Sequence, residues 1–247
     1  MWSYSRINSF GECPYGWFLK YIKCLPPVSN FYAEYGKFMH HILQRYFQNT
    51  LNRSELTGYY LSNFTLQVKQ KPHKGSIYAD YFRDGLRYLS EISWPESQKI
   101  GVERRVSFKI GPYKALGFID LVEREDGIVI TDHKSAKLKP RSARIKPTKE
   151  DIALDGMLRQ LYLYALAIKQ AYGEYPTRLR FNSFRTGSMI EEPFDEEKLN
   201  ETVKWAENEI ETITYNEEWK PKIDYFRCNY LCDMRENCEY YMMNRGD

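Results

Sequence analysis

Two carboxylates and a lysine lie close together near the middle of the chain, and their residue types suit phosphodiester chemistry. Asp120 ends the segment GFID, and Asp132 and Lys134 follow in the segment DHK, with eleven residues between the two aspartates. A pair of carboxylates is a hard-oxygen site for Mg²⁺ or Mn²⁺. A metal held there can polarise a phosphodiester and lower the pKa of a bound water. For the aspartate and lysine of DHK alone, the competing interpretation is a buried salt bridge within a sheet.

Four further side chains could complete such a site. Glu103 lies on the polar face of an alternating segment, and His40 lies in the segment GKFMHH. Gln160 and Tyr164 are one helical turn apart and therefore share a helix face. Each has an ordinary alternative, because a single helical histidine is more often a surface or core residue, and a Gln–Tyr pair is usually a solvated edge.

Hydrophobic periodicity predicts the elements that must position these residues. Alternating apolar residues predict strands at 102–110, 114–123, 128–134 and 178–184. Apolar residues at three- and four-residue steps predict helices at about 5–21, 32–48, 76–92, 152–172 and 195–213. The order of helix, three strands, helix and strand predicts an α/β fold with a mixed sheet flanked by helices. A tight turn at 125–127 would bring the acidic ends of two strands together.

In this order and approximate spacing, the residues resemble those of RecB-like nucleases of the PD-(D/E)XK superfamily. The opening S-x-I-x-x-F-x-x-C-P, from Ser5 to Pro14, is similar to the start of the iron–sulfur members, such as CRISPR-adaptation nucleases, AddB-type helicase–nucleases and phage exonucleases. The resemblance spans Ser5 to Cys238. It implies one nuclease domain over 1–247, with a restriction-endonuclease-like core of order αβββαβ and a helical insertion at about 50–100.

The resemblance also implies a role for each candidate residue. It assigns metal binding to His40, Asp120 and Asp132. It assigns catalytic or orienting roles to Lys134, Glu103, Gln160 and Tyr164. Lys134 would be the catalytic lysine, and Glu103 would be either an accessory ligand or a group that supports the ligands from behind. His40 is preferred to His41 because it follows Gly36 at the family's spacing.

The cysteines are unevenly distributed. Four of the five form a one-plus-three set, which consists of Cys13, Cys228, Cys232 and Cys238. Thiolates in fours suit a 4Fe–4S cluster or a structural zinc. Zinc ribbons usually have two close cysteine pairs, so the spacing and the resemblance favour iron–sulfur over zinc or free thiols. Such a cluster would join the termini through segments at about 5–25 and 226–240, and Cys24 has no assigned partner.

The loop after Lys134 is basic. No acidic residue occurs from 133 to 149, and the loop carries Lys137, Lys139, Arg141, Arg144 and Lys146. Because it follows the candidate catalytic strand, we interpret it as a DNA-backbone contact. The alternative is an ordinary solvated loop. The net charge of the whole chain, +3, is too small to indicate a nucleic-acid partner by itself.

The expected function is a Mg²⁺- or Mn²⁺-dependent DNA nuclease, and in particular an exonuclease on single-stranded or end-containing DNA. Two alternatives remain open: a catalytically silent DNA-binding subunit, and a zinc-stapled RNA-processing or restriction-type enzyme. No phosphate-binding GKT loop is present, so unwinding would need a helicase or recombination partner. The sequence has no signal peptide and no membrane span, and we expect a cytoplasmic protein.

Overall fold

A computed structural model describes residues 1–243, which form an α/β fold around one five-stranded mixed sheet. The strands are β1 (Gln98–Ile110), β2 (Tyr113–Arg124), β3 (Ile128–Lys134), β4 (Arg178–Ser183) and β5 (Ser188–Pro193). They lie side by side in chain order. Neighbouring strands are antiparallel except β3 and β4, which are parallel because a long helix crosses over between them.

Helices cover both faces of this sheet. They are α1 (Tyr4–Glu12), α2 (Pro14–Tyr21), α3 (Phe31–Phe47), α4 (Leu56–Gln67), α5 (Gly75–Glu91), α6 (Lys149–Tyr172), α7 (Glu196–Thr214) and α8 (Glu239–Met243). Short 3₁₀ turns lie at Arg53–Glu55 and Arg235–Asn237, and a π-helical turn lies at Arg227–Leu231. None of the helices in residues 1–243 has the length and apolar character that a membrane crossing requires.

Two hydrophobic layers sandwich the sheet. On one face α1, α6 and α7 bury a core that includes Ile7, Phe108, Leu161, Phe181 and Ile210. On the other face α3, α4 and α5 form a second core with β2 and the residue after β4. The predicted α/β class and the core order αβββαβ are therefore confirmed. The prediction of a single domain over 1–247 stays a prediction, and residues 244–247 lie outside the described residues.

The N-terminal segment corrects one sequence prediction. A single helix at about 5–21 was wrong: the chain forms two helices that are separated at Cys13, whose backbone is extended at φ −163°. Ser3 caps α1 by accepting a hydrogen bond from Arg6 N, so this helix also begins before the predicted start at about residue 5. Pro14 has no N–H to donate within a continuing helix but is well suited to the first position of a new one, so the break falls immediately before it.

Candidate active site

Glu103 and Asp120 face each other across the β1–β2 ladder. The pairs on either side of them are Val102 with Leu121 and Arg104 with Ile119. Glu103 has φ +48°, in the left-handed region that residues with a side chain rarely adopt. Side-chain alternation breaks at this position, since Ile119 packs in the α6 layer whereas Leu121 packs in the α3 layer. At this irregularity the carboxylates of Glu103 and Asp120 both reach the same site.

The second aspartate enters from β3. The β2–β3 ladder ends at Leu121 and Thr131, so Asp120 and Asp132 follow it on diverging strands. Asp120 Oδ2 accepts the backbone N–H of His133 at 2.7 Å, which fixes the carboxylate at this divergence. The sequence prediction that the strands bring the acidic residues to one end of the sheet agrees with this geometry.

Helix α3 adds an imidazole to the two carboxylates. His40 Nδ1 lies 3.4 Å from Asp120 Oδ2. Within residues 1–243, His40, Glu103 and Asp120 are the one set of three candidate metal ligands whose ligand atoms all lie within 4.8 Å of one another. Imidazole nitrogen with carboxylate oxygens is a donor set that accommodates Mn²⁺ or Mg²⁺.

His40, Asp120 and Glu103 shift one another's pKa values. Burial by itself would lower the pKa of His40, but the hydrogen bond and charge of Asp120 raise that pKa to about 9. Burial would raise the pKa of Asp120, whereas the same contact with His40 lowers it to about 2. Burial, followed by repulsion from Asp120, raises the pKa of Glu103 to about 6. Crowded carboxylates of this kind are relieved by a bound cation.

Lys134 lies on the α6 side of the same site. Its Nζ is 2.7 Å from Asp132 Oδ2 and donates to Gln160 Oε1 at 3.0 Å. Burial raises the pKa of Asp132, and the charge of Lys134 opposes that rise. Gln160 Nε2 in turn donates to the Tyr164 hydroxyl at 3.2 Å, and that hydroxyl accepts the backbone N–H of Phe118. A chain of polar contacts therefore runs from β3 through α6 to β2.

His133 is a site residue that the sequence prediction missed. Its ring is buried in the α3 layer, stacked on Phe47 at 5.6 Å between centroids, and burial lowers its pKa to about 4. Nδ1 accepts a hydrogen bond from Asn182 Nδ2 at 3.0 Å, and the same amide donates to Tyr88. The available signal was strand alternation, which puts the middle residue of DHK on the opposite face from Asp132.

The basic loop is partly engaged by the protein itself. Arg141 pairs with Asp155 at 2.6 Å and with Glu192 at 3.3 Å. Lys139 Nζ lies 3.8 Å from a carboxylate oxygen of Glu150. Lys137, Arg144 and Lys146 are exposed, and Lys137 lines a groove that also contains the aromatic residues Tyr32, Tyr81 and Phe226. DNA contact by the loop stays a prediction.

The four predicted cluster cysteines converge. Cys13, Cys228, Cys232 and Cys238 all line one cavity of about 370 Å³. Cys13 Sγ accepts backbone N–H groups of Gly16 at 3.4 Å and Lys222 at 3.5 Å. Cys24 is exposed and is not among the residues that line this cavity.

Comparisons with known proteins agree with this architecture. A sequence model of the PD-(D/E)XK nuclease superfamily matches residues 1–239. No curated protein matches the chain. A crystal structure of a candidate exonuclease from Eubacterium rectale is similar with a TM-score of 0.54 at 14% identity, over 99% of this chain and 93% of that chain. The structure of SSO0001 is 19% identical over 82% of this chain and 85% of that one, with a TM-score of 0.32.

Proposed function

The chain belongs to the PD-(D/E)XK nuclease superfamily, and from this premise we propose that it is a divalent-metal-dependent deoxyribonuclease, an exonuclease acting on single-stranded DNA or DNA ends. The observation that carries the proposal is the convergence of His40, Glu103 and Asp120 within 4.8 Å, beside an Asp132–Lys134 pair. The fold is consistent with restriction-endonuclease-like enzymes. The similarity to the Eubacterium rectale protein supports this fold.

The residues present fit a divalent cation. His40, Glu103 and Asp120 would hold it, with Asp132 as a further oxygen ligand from β3. When bound, the cation would polarise the scissile phosphodiester and acidify a water. The protein's own contribution is to hold three ligands from three different elements in one place. The strained backbone of Glu103 and the His133 N–H bond to Asp120 are the local devices that do so.

Lys134 is the proposed catalytic lysine. Its ammonium is fixed between Asp132 and Gln160, and its side chain is 24% exposed, so one side remains open to substrate. In that position it can orient a water and stabilise the negative charge that develops on the phosphate. Gln160 and Tyr164 are positioning residues in this scheme, since Gln160 holds Lys134 and Tyr164 holds Gln160.

The proposal includes a 4Fe–4S cluster ligated by Cys13, Cys228, Cys232 and Cys238. The four cysteines line one cavity of about 370 Å³, which has room for a group larger than a single ion. Backbone N–H groups directed at Cys13 Sγ are suited to a ligating thiolate.

The proposed cluster would be structural. It would tie the junction of α1 and α2 to the C-terminal segment, which closes most of the chain into one loop. Phe226 and Leu231 lie beside its ligands and line the groove that contains Lys137. The cluster would therefore support one wall of a groove that begins where the catalytic strand ends.

An end-labelled cleavage assay under anaerobic conditions tests the activity. Wild-type protein with Mg²⁺ or Mn²⁺ should shorten 5′- or 3′-labelled oligonucleotides, and one label should reveal the polarity. Asp120→Asn and Lys134→Met should each lose at least roughly 100-fold in rate, because each removes a charge at the reacting phosphate. Asp126→Asn, which changes an exposed carboxylate in the β2–β3 turn, is the matched control and should cut normally.

Two results would contradict the proposal. Wild-type holoprotein that binds DNA but cuts neither single strands nor duplexes with either metal would favour the silent DNA-binding subunit. Cleavage that survives in Asp120→Asn and Lys134→Met would show that the phosphodiester is attacked at another site.

A further inference from the structure

The β1–β2 hairpin continues beyond the metal-binding pair as an open face. From 104 to 110, Val106, Phe108 and Ile110 are buried, while Arg105 and Lys109 alternate with them on the exposed side. Because Val106, Phe108 and Ile110 pack in the α6 layer, this exposed side is the α3 side of the sheet, from which His40 reaches Glu103 and Asp120. It is thus a direct extension of the candidate active site along the sheet.

Phe118 is the notable residue on this face. It is 51% exposed, although an aromatic side chain of this size usually gains from burial. It precedes Asp120 by two residues on β2, about 6.6–6.8 Å along the strand. Its neighbours Gly117 and Ile119 face α6, so Phe118 is on the opposite side of the strand. Arg105 is its Cα partner on β1. An aromatic ring and a guanidinium therefore lie opposite each other two positions along the ladder from Glu103 and Asp120, beyond the Arg104–Ile119 pair.

The position of Phe118 is fixed by the catalytic framework. Its backbone N–H donates to the Tyr164 hydroxyl, which Gln160 also contacts, and Gln160 holds Lys134. The preceding residue, Gly117, packs directly against the Tyr164 ring. The exposed ring is consequently presented from a rigid strand and is tied to the residues that would act on the phosphate.

The charge of this face suits a nucleic-acid strand. Residues 105–118 include Arg105, Lys109 and Lys114 and no aspartate or glutamate. Glu207 of α7 lies against the hairpin turn at Gly111, so an acidic helix bounds the face at its far end. The basic part is therefore short and is continuous with the metal site at its other end.

We propose that Phe118 is a stacking platform for one unpaired base of the DNA substrate, near the scissile phosphate, with Arg105 contacting the phosphate beside that base. The inference rests on the proposed nuclease function and specifies how that site selects its substrate. Nucleotides of a stacked strand repeat every ~3.4 Å, so the separation of about 6.6–6.8 Å between Asp120 and Phe118 corresponds to about two nucleotide spacings. A fully paired base cannot use the ring, so the platform favours single strands and frayed ends.

The test combines Phe118 variants with a scan of abasic sites. Single-stranded oligonucleotides, each with one abasic site at successive positions, are bound to holoprotein with Ca²⁺ replacing Mg²⁺. Loss of one base–aromatic stack lowers affinity roughly 5- to 150-fold. Wild-type protein should lose this factor at one position of the scan. Phe118→Ala should lose the same factor on intact DNA and show no additional loss at that position, whereas Phe118→Trp should behave as wild type.

The controls separate this inference from the proposed function. Leu66→Ala changes another exposed apolar residue, on α4, and should leave the whole scan unchanged. Wild-type protein that cuts DNA but gives a flat scan, with Phe118→Ala binding normally, would overturn the platform alone. A Phe118→Ala defect that is equal at every abasic position would also overturn it, since the residue would then act on folding or on a protein contact. Wild-type protein that cuts no DNA would instead contradict the proposed function.

Discussion

Tyr164 lies so close to Gly117 that a Cβ built at the glycine would come within 2.3 Å of Tyr164 Cε1. This contact joins α6 to β2 at the point where Asp120 approaches the site. The Tyr164 side chain is buried, and the Phe108 ring packs edge-on against it with 6.3 Å between ring centroids. The Tyr164 ring therefore has little room to move away from Gly117. Gly117 is therefore required for a close approach of backbone to side chain, and its φ is not in the left-handed region.

We predict that Gly117→Ala greatly reduces DNA cleavage while metal ligands remain intact. The added methyl must displace the Tyr164 ring, and the displacement passes through Gln160 to Lys134. Overpacking of this kind also costs about 1–3 kcal/mol of stability. Gly58→Ala in α4 is the control, since nothing lies within 4 Å of its Cβ, and it should raise stability by about 0.4–1 kcal/mol. Cleavage rates and unfolding midpoints measured for both variants check the prediction, which would be wrong if Gly117→Ala cut like wild type.

Arg180 supports the sheet as a buried charge. Its side chain is 1% exposed and contacts Glu123, Glu125 and Glu191, with 2.9 Å between Nη1 and an oxygen of the fully buried Glu123. We predict that Arg180→Met lowers the free energy of unfolding by about 3–5 kcal/mol, because it leaves a buried carboxylate without its cation. Denaturant unfolding measures the change.

Arg178 provides the matched control for that experiment. It lies on the same strand and pairs with Glu125 and Glu191, but its side chain is 29% exposed. Water screens such pairs, so Arg178→Met should cost only about 0–1 kcal/mol. Equal losses for the two arginines would contradict the assignment of Arg180 as the buried centre of the network.

The parts of the fold that sequence predicts are those with strong periodicity. β3 was predicted with its observed bounds, because all of its seven residues lie between a turn and a basic loop. The acidic residues could be assigned to one end of the sheet because strand alternation and a tight turn leave few other arrangements. The helix bearing Gln160 and Tyr164 was predicted from its apolar stripe for the same reason.

The elements that were not predicted from the sequence depend on tertiary contacts. Hydrophobic periodicity did not predict α4, although the family resemblance implied a helical insertion at about 50–100. The apolar and polar residues of α4 are not segregated to opposite sides, and its stability comes from packing on α3 and α5. β5 was not predicted either, because its ladder with β4 and the Gly187 turn supply what its mixed sequence lacks. The left-handed backbone of Glu103 has no local signal, since glutamate does not favour positive φ.

The cysteine prediction is tested by metal content. Anaerobically purified wild-type protein should be brown and contain about four irons per chain, as expected for a 4Fe–4S cluster. Cys13→Ala should lose iron and visible absorbance and unfold at a lower temperature, because the cluster would close a very long loop. Cys24→Ala should keep the colour, since Cys24 is exposed and apart from the cavity. Colourless wild-type protein that contains one zinc would contradict the cluster.

Asp151 gives a pH dependence that links stability to the basic loop. Its carboxylate accepts hydrogen bonds from the N–H and hydroxyl groups of Ser142 and Thr148, at 2.6–2.8 Å, and closes the capping box of α6. These bonds hold the pKa of Asp151 well below its ordinary value. Ser142 lies within the basic loop, so the same carboxylate anchors that loop to the helix.

The sign of the pH effect follows from this lowered pKa. Between the two pKa values the unfolded chain binds the proton more readily than the folded protein, so Asp151 stabilises the fold above the unfolded-state pKa of about 3.9. That contribution is lost progressively as the pH falls below this value. Asp151→Asn should therefore unfold at a lower temperature than wild type from pH 8 to about 5, and the difference should shrink below about pH 4. It should also weaken DNA binding at neutral pH, because the loop is released.

Glu150→Gln is the control for the Asp151 experiment. Glu150 lies in the same first turn and is also stabilised there by the helix dipole, but it is exposed and its contact with Lys139 is long, at 3.8 Å. Its replacement should change the unfolding midpoint little and without the steep acid dependence. A difference between wild type and Asp151→Asn that stays constant down to pH 3.5 would mean that the hydrogen-bonded loop geometry, and not the carboxylate charge, stabilises this end of α6.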